Sequence, residues 1–261
     1  HMIGLLKVEE PSDVEDRQGI AAAWKFPSYN FILSLAWSPF LVDYTQVEEG
    51  PWKIHVDKPD KLWTKCLSSY DVAIFSMTNW FFRTSSYYVN NEVVSSHDSS
   101  NATSIEFLHG MRLVWETIMK HLVDHYKGLA ILRSVSISHF DGNPWDKGGT
   151  CKKTQPYFDP EGKMELPWTP NEIFKIQKNE LRKAIVRKGN ASQPILKLLD
   201  VTYSSLLRPD GHPGVYRIQS STEPKNDCVH WCMPGPIDMW NQLIFSDPDI
   251  MCMNMSIDPN T

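Results

Sequence analysis

Three nearly unbroken apolar runs, 70–77, 129–135 and 195–201, are separated by two stretches whose apolar residues recur at three- and four-residue steps. Runs of that kind suit strands covered on both faces. The intervening steps suit amphipathic helices. A strand–helix–strand–helix–strand order implies right-handed crossovers and a parallel sheet with helices laid on it. The first helix carries Ile105, Leu108, Trp115, Ile118, Leu122 and Tyr126 on one face and stops at Gly128. The second opens at Thr169-Pro170-Asn171-Glu172, a capping box with proline at the first helical position. Ile173, Ile176, Leu181 and Ile185 form its apolar face, and Gly189-Asn190 ends it. Phe31, Leu33, Leu35 and Trp37 alternate with their neighbours, so 29–37 reads as a further strand. The stretch 87–104 reads as a polar loop. Two long irregular segments, 138–168 and 203–230, are rich in Gly, Pro, Asp and His; such loops carry function or are stapled. The expectation is one α/β domain over residues 1–261.

Charge and hydropathy narrow the partners. The chain has 26 Lys+Arg against 31 Asp+Glu, a net charge of -5, with no basic cluster. That argues against nucleic acid and against an anionic membrane surface. Hydrophobic content of 41% and charged content of 22% are those of an ordinary globular domain. No apolar run approaches the roughly 18 residues of a membrane span, and no signal peptide is visible. Three N-x-S/T acceptor patterns, at Asn101, Asn190 and Asn254, point to a secretory compartment. Five cysteines allow at most two internal disulfides and leave one thiol over.

The sharpest chemical cluster is Asn226-Asp227-Cys228-Val229-His230-Trp231-Cys232. An aspartate three residues before a histidine can hold one ring nitrogen and leave the other to take a proton from a hydroxyl nucleophile. Cysteines on both sides of His230 can fix such a loop by disulfides. Zinc is a poor reading of Cys228, His230 and Cys232, because one-residue gaps are not zinc spacing. His121 and His125, four apart beside Asp124, read as a solvated helix stripe, and no metal is expected. Of the ten tryptophans, Trp37, Trp115 and Trp240 fall in apolar runs and read as core. Trp80, Trp145 and Trp231 lie in or beside loops and are the candidates for stacking on sugar. Ser38 and Ser76 read as loop serines rather than nucleophiles.

The block Asp227-Cys-Val-His-Trp-Cys, followed by Pro-Gly-Pro-Ile-Asp-Met-Trp240-Asn241, resembles the DxxH block of the plant trichome birefringence-like proteins. These are polysaccharide O-acetyltransferases of the PC-esterase, or GDSL/SGNH-like, superfamily. Further ordered blocks resemble the same family: Trp37-Ser-Pro-Phe-Leu-Val42, Val56-Asp-Lys-Pro-Asp-Lys-Leu-Trp63, Arg133-Ser-Val-Ser-Ile-Ser-His139-Phe, Trp145-Asp-Lys-Gly-Gly-Thr-Cys151 and Leu207-Arg-Pro-Asp-Gly-His212-Pro. The resemblance implies a three-layer SGNH-like fold with a mostly parallel central sheet. It also implies a Golgi enzyme that moves acetyl from a donor, acetyl-CoA or an acetylated intermediate, onto hydroxyls of a hemicellulose, and it looks most like the xyloglucan/mannan branch. No bound cofactor is implied. His230 matches the base and Asp227 its partner. Asn79, Arg133 and His139 become candidates for the oxyanion or substrate.

The sequence departs from the family in three places. No Gly-Asp-Ser, the family's nucleophile motif, occurs in it, and it opens on His1-Met2-Ile-Gly-Leu-Leu6. The expectation is a chain that starts just after the serine, short of its first strand and of any membrane anchor. Where relatives have glycine and histidine before an aromatic pair, this chain has Thr78 and Asn79. Where they have Gly-Cys-x-x-Cys it has Ser95-Ser96-His97-Asp98-Ser99. Cys151 is then expected to pair with Cys228 or Cys232, and Cys66 and Cys252 to be free thiols. A non-catalytic polysaccharide-binding protein, or an inactive fragment of such an enzyme, is the alternative expectation.

Overall fold

The parallel pairing inferred from the apolar runs is present in the protein's computed structural model. It describes residues 12–13, 22–46, 48, 50–98, 105–216 and 226–248. Asn101, Asn254 and Cys252 lie outside the described residues. The described part of 12–135 and 168–198 forms one compact unit, and that of 136–167 and 199–248 forms another.

In the first unit, β1 (Ser12–Asp13), β2 (Ala22–Phe26) and β3 (Phe31–Leu35) make an antiparallel sheet in that order. Next come β4 (Val42–Gln46), β5 (Trp52–Pro59), the short helix α1 (Lys61–Thr64), β6 (Val72–Phe75), β7 (Ser85–Val89) and β8 (Glu92–His97). Helix α2 (Ile105–His125), β9 (Leu129–Arg133), helix α3 (Trp168–Lys188) and β10 (Ile195–Leu199) follow. A mixed sheet runs β4-β5-β7-β8, with β5 and β7 parallel. A second sheet runs β10-β9-β6, with β6 and β9 parallel in the register Val72 to Leu129. The fold is therefore α/β, with strands from the three apolar runs side by side. Parallel pairs occupy part of the sheets, and antiparallel hairpins make up the rest.

Helix α2 fills the core. Phe107, Met111, Val114, Trp115, Ile118 and Leu122 are fully buried, while Ile105, expected on that face, is 78% exposed at the first turn. In α3, Ile173 and Leu181 are buried, but Ile185 faces solvent. Two polar residues take interior positions instead. Gln177 accepts the Val135 backbone N–H at 2.9 Å, which ties α3 to the end of β9, and Glu180 takes Lys183 at 2.8 Å. A buried polar side chain is tolerated when it finds such partners.

Two expectations are corrected. The stretch read as a polar loop from residue 87 contains the β7–β8 hairpin, turned at Asn90 and Asn91, both with positive φ (51 and 67). Two left-handed residues match the twist of a two-residue hairpin, and asparagine tolerates that region better than most side chains. Trp37 lies beyond the end of β3 and is 56% exposed, so it is not core. Trp115 and Trp240 are buried as expected.

Gly110 of α2 sits against the Tyr87 ring: a Cβ there would come within 2.4 Å of Cε2. Tyr87 cannot swing away, being fully buried, stacked on Phe81 and in contact through its hydroxyl with His97 Nδ1 at 3.3 Å. Helix propensity would favour alanine over glycine by about 1 kcal/mol. Overpacking costs roughly 1–3 kcal/mol. Gly110→Ala is therefore expected to destabilise the protein by up to about 2 kcal/mol in urea unfolding, against the sign that propensity alone predicts.

Candidate functional site

The second unit is organised around one loop. Asp227 forms an isolated antiparallel bridge with Gly214: Gly214 N–H donates to the Asp227 carbonyl at 3.0 Å, and Asp227 N–H donates back at 2.9 Å. Gly214 has φ +54, a conformation that glycine enters without strain. Further along, Cys232 N–H donates to the Gly211 carbonyl at 2.8 Å, and His139 N–H donates to the Cys228 carbonyl at 3.2 Å. Cys228 is bonded to Cys151. The alternative left open by the sequence thus resolves in favour of Cys228, and Cys232 joins Cys66 as a free thiol among the described residues. The short helix α4 (Thr202–Leu206) precedes the loop, and after it Gly235-Pro236 leads into helix α5 (Pro236–Phe245). Asp238 accepts the Gly235 N–H at 2.6 Å and caps its first turn.

Within this clamp Asp227 is buried and His230 is exposed, its side chain 65% open. His230 Nδ1 lies 2.9 Å from Asp227 Oδ2 and 3.0 Å from Oδ1. Oδ1 also accepts the backbone N–H groups of Val229 at 3.2 Å and His230 at 3.0 Å. Burial works to raise the Asp227 pKa, but the His230 backbone N–H, the His230 charge and the Val229 N–H outweigh it and hold the carboxyl below its ordinary value. An ionised Asp227 keeps the proton of a neutral His230 on Nδ1, which makes Nε2 the basic nitrogen.

Behind the loop lie two more histidines. His212 Nδ1 is 2.7 Å from the His230 carbonyl, and its ring lies against Trp231, centroids 4.1 Å apart. His212 Nε2 is 2.8 Å from His139 Nδ1, and His139 Nε2 is 3.0 Å from the Leu206 carbonyl. Burial pushes the His212 pKa down from 6.5 to about 4, more than its contact with the His230 carbonyl raises it. His139 is thus engaged in supporting the loop. Trp231, at 5.7 Å from Trp240, packs under it as well. Trp145, on a short 3-10 turn, is 56% exposed. The role of His212 was missed by spacing arguments, since its partners lie 18 and 73 residues away.

The remaining candidates belong to the other unit. Arg133 Nε donates to Ser76 Oγ at 2.9 Å, and burial lowers the guanidinium pKa to about 10. Asn79 is exposed at the start of a 3-10 turn. Trp80 is half-buried among Trp37, Phe40 and Trp52, with the Arg83 guanidinium 4.3 Å from its ring. Ser38 is buried and donates to Asp60 Oδ2 at 2.6 Å. His121 lies against Trp63 and His125.

The sequence model of a family described as "PC-Esterase: GDSL/SGNH-like Acyl-Esterase family found in Pmr5 and Cas1p" matches residues 2–247. The chain is 36% identical over 259 residues to protein trichome birefringence-like 25 of Arabidopsis thaliana, covering 92% of this chain and 56% of that protein. It is 34% identical over 262 residues to xyloglucan O-acetyltransferase 2, covering 94% of this chain and 62% of that protein. With xyloglucan O-acetyltransferase 1 it shares 36% identity over 232 residues, covering 85% of this chain and 53% of that protein; both acetyltransferases are from the same plant. The chain spans somewhat over half the length of the curated relatives it matches.

Two outcomes follow from the clamp. Cys151→Ser removes a cross-link over a sequence separation of 77 residues and is expected to lower stability by roughly 3–5 kcal/mol in urea. His212 has a folded-state pKa of about 4, below its unfolded value near 6.5. Its contribution to stability is complete above pH ~6.5 and is lost as pH falls toward ~4. In urea titrations across that window, His212→Asn should flatten the acid-side slope; an unchanged slope would remove His212 as its source.

Proposed function

The chain belongs to the PC-esterase family, and from that premise we propose that it carries the base half of an acetyl-transfer site acting on hemicellulose. The observation that carries the reading is the Asp227–His230 pair: a buried carboxylate accepts the Nδ1–H hydrogen bond at 2.9 Å while the ring stays open to solvent. In this reading a serine hydroxyl attacks the acetyl carbonyl of the donor, acetyl-CoA or an acetylated intermediate. His230 Nε2 takes the serine proton and passes it to the leaving group. A sugar hydroxyl then attacks the acyl-enzyme, His230 takes its proton, and that proton returns to the serine as the ester moves to the sugar. The nucleophile is a serine in a Gly-Asp-Ser segment, which these 261 residues do not contain. Trp145 is one of the exposed aromatics, with Phe158 and Tyr216, that the same unit offers for stacking on a sugar face.

The names of two relatives, both xyloglucan O-acetyltransferases, support xyloglucan as the acceptor. The Cys151–Cys228 disulfide supports an oxidising compartment such as the Golgi lumen. Among the described residues no helix is long and apolar enough to cross a membrane. A polysaccharide-binding protein without turnover is the second reading.

The test is acetyl transfer to a xyloglucan oligosaccharide, measured for the chain alone and for the chain preceded by a Gly-Asp-Ser segment from a relative. The chain alone should not turn over. The extended chain should, and His230→Ala should cost it at least about 10³-fold in kcat. Turnover by the chain alone that His230→Ala abolishes would contradict an external nucleophile. Transfer indifferent to His230→Ala would contradict the base. Binding without turnover in either form would favour the second reading.

A further inference from the structure

Three short contacts run in series from Leu206 to His230 through two largely buried imidazoles. The Leu206 carbonyl faces His139 Nε2 at 3.0 Å, His139 Nδ1 faces His212 Nε2 at 2.8 Å, and His212 Nδ1 faces the His230 carbonyl at 2.7 Å. Carbonyl oxygens only accept, so each contact needs a proton on a ring nitrogen. Two neutral imidazoles bring two protons. One of the three contacts is therefore without a donor while the pair is neutral. Uptake of one proton from water onto a ring lone pair supplies it; no other bond forms or breaks, and one positive charge is then shared by the two rings.

We propose that His139 and His212 act as one proton-linked positioning unit for His230, whose third proton completes the tether between the Leu206 carbonyl and the His230 carbonyl. In the neutral pair His212 keeps its proton on Nδ1 toward His230, the shortest contact, and His139 serves either Leu206 or His212 but not both. Burial is the main force against the third proton at both rings. The charges that face them divide. Lys153 opposes it at His139, while Asp141 and Asp210 favour it there. Asp227 and Asp210 favour it at His212. Arg208 grips both oxygens of Asp210 at 2.9 Å, which weakens that carboxylate's pull. The tether is therefore incomplete at neutral pH and closes in acid. His212 touches the backbone of His230 rather than its reacting nitrogen, so its role is positioning. The functional meaning rests on His230 being the base; the titration below does not depend on activity, so the two can fail separately.

The experiment is a pH titration of the ¹⁵N-labelled chain by NMR, following the imidazole nitrogens of His139 and His212 and the backbone amides of Val229, His230 and Trp231. The expected result is one common midpoint well below the ordinary histidine value. Each ring should move by about half of a full histidine shift, because the pair binds one proton between them. The three amides should move with the same midpoint. His139→Gln keeps an amide N–H for His212 at every pH and binds no proton, so it should abolish that step in the amides. Two independent full-size steps, amides indifferent to the pair, or a step that persists in His139→Gln would overturn the proposal. If His139→Gln does not fold, the titration of the unmodified chain decides by itself.

Discussion

A buried carboxylate must find donors, and Asp227 finds three N–H groups within the next three residues: two from the backbone of Val229 and His230 and one from the His230 ring. Hydrogen bonds to a charged group contribute about 1.5–3 kcal/mol each, and a buried charge stripped of them is costly. The local chain is thereby obliged to curl around the carboxylate, which carries the His230 ring to the surface with its orientation fixed. Several contacts of this unit secure that curl: the bridge to Gly214, the Cys151 link, the Gly211 and His139 contacts, and the His212 ring beneath the His230 carbonyl. On the proposed reading, a base held this way does not have to be ordered when a substrate arrives, which is where positioning gains its rate advantage.

The same contacts explain why His139 and His212 are not free to do surface chemistry. Their inward nitrogens meet each other, and their outward nitrogens meet main-chain carbonyls. Asparagine or glutamine at these positions would satisfy such contacts with a fixed set of donors. Histidine satisfies them with a number that changes with pH, and this is the property that separates a plain brace from a proton-linked one.

How much of this was legible in the sequence depended on range. Helices α2 and α3 announced themselves through long apolar periods, and the Asp227–His230 pair through a three-residue spacing that any local turn preserves. The β7–β8 hairpin was hidden by its serines; its signal was the Asn90-Asn91 pair between Tyr88-Val89 and Val93-Val94, which only a turn with two positive φ values explains. Trp37 misled because alternation continued in the letters after the strand had stopped at Leu35. The His139–His212 contact joins residues 73 apart, and no spacing rule reaches that far. The choice between Cys228 and Cys232 as partner of Cys151 was settled by the fold for the same reason.

The central claim is that Asp227 dictates which nitrogen of His230 can accept a proton. Imidazole ¹⁵N shifts of the neutral His230 ring test this most directly. The account predicts a neutral ring carrying its proton on Nδ1, with Nε2 bare. A neutral ring protonated mainly on Nε2 would contradict it, because the nitrogen left to act as base would then be the one facing Asp227.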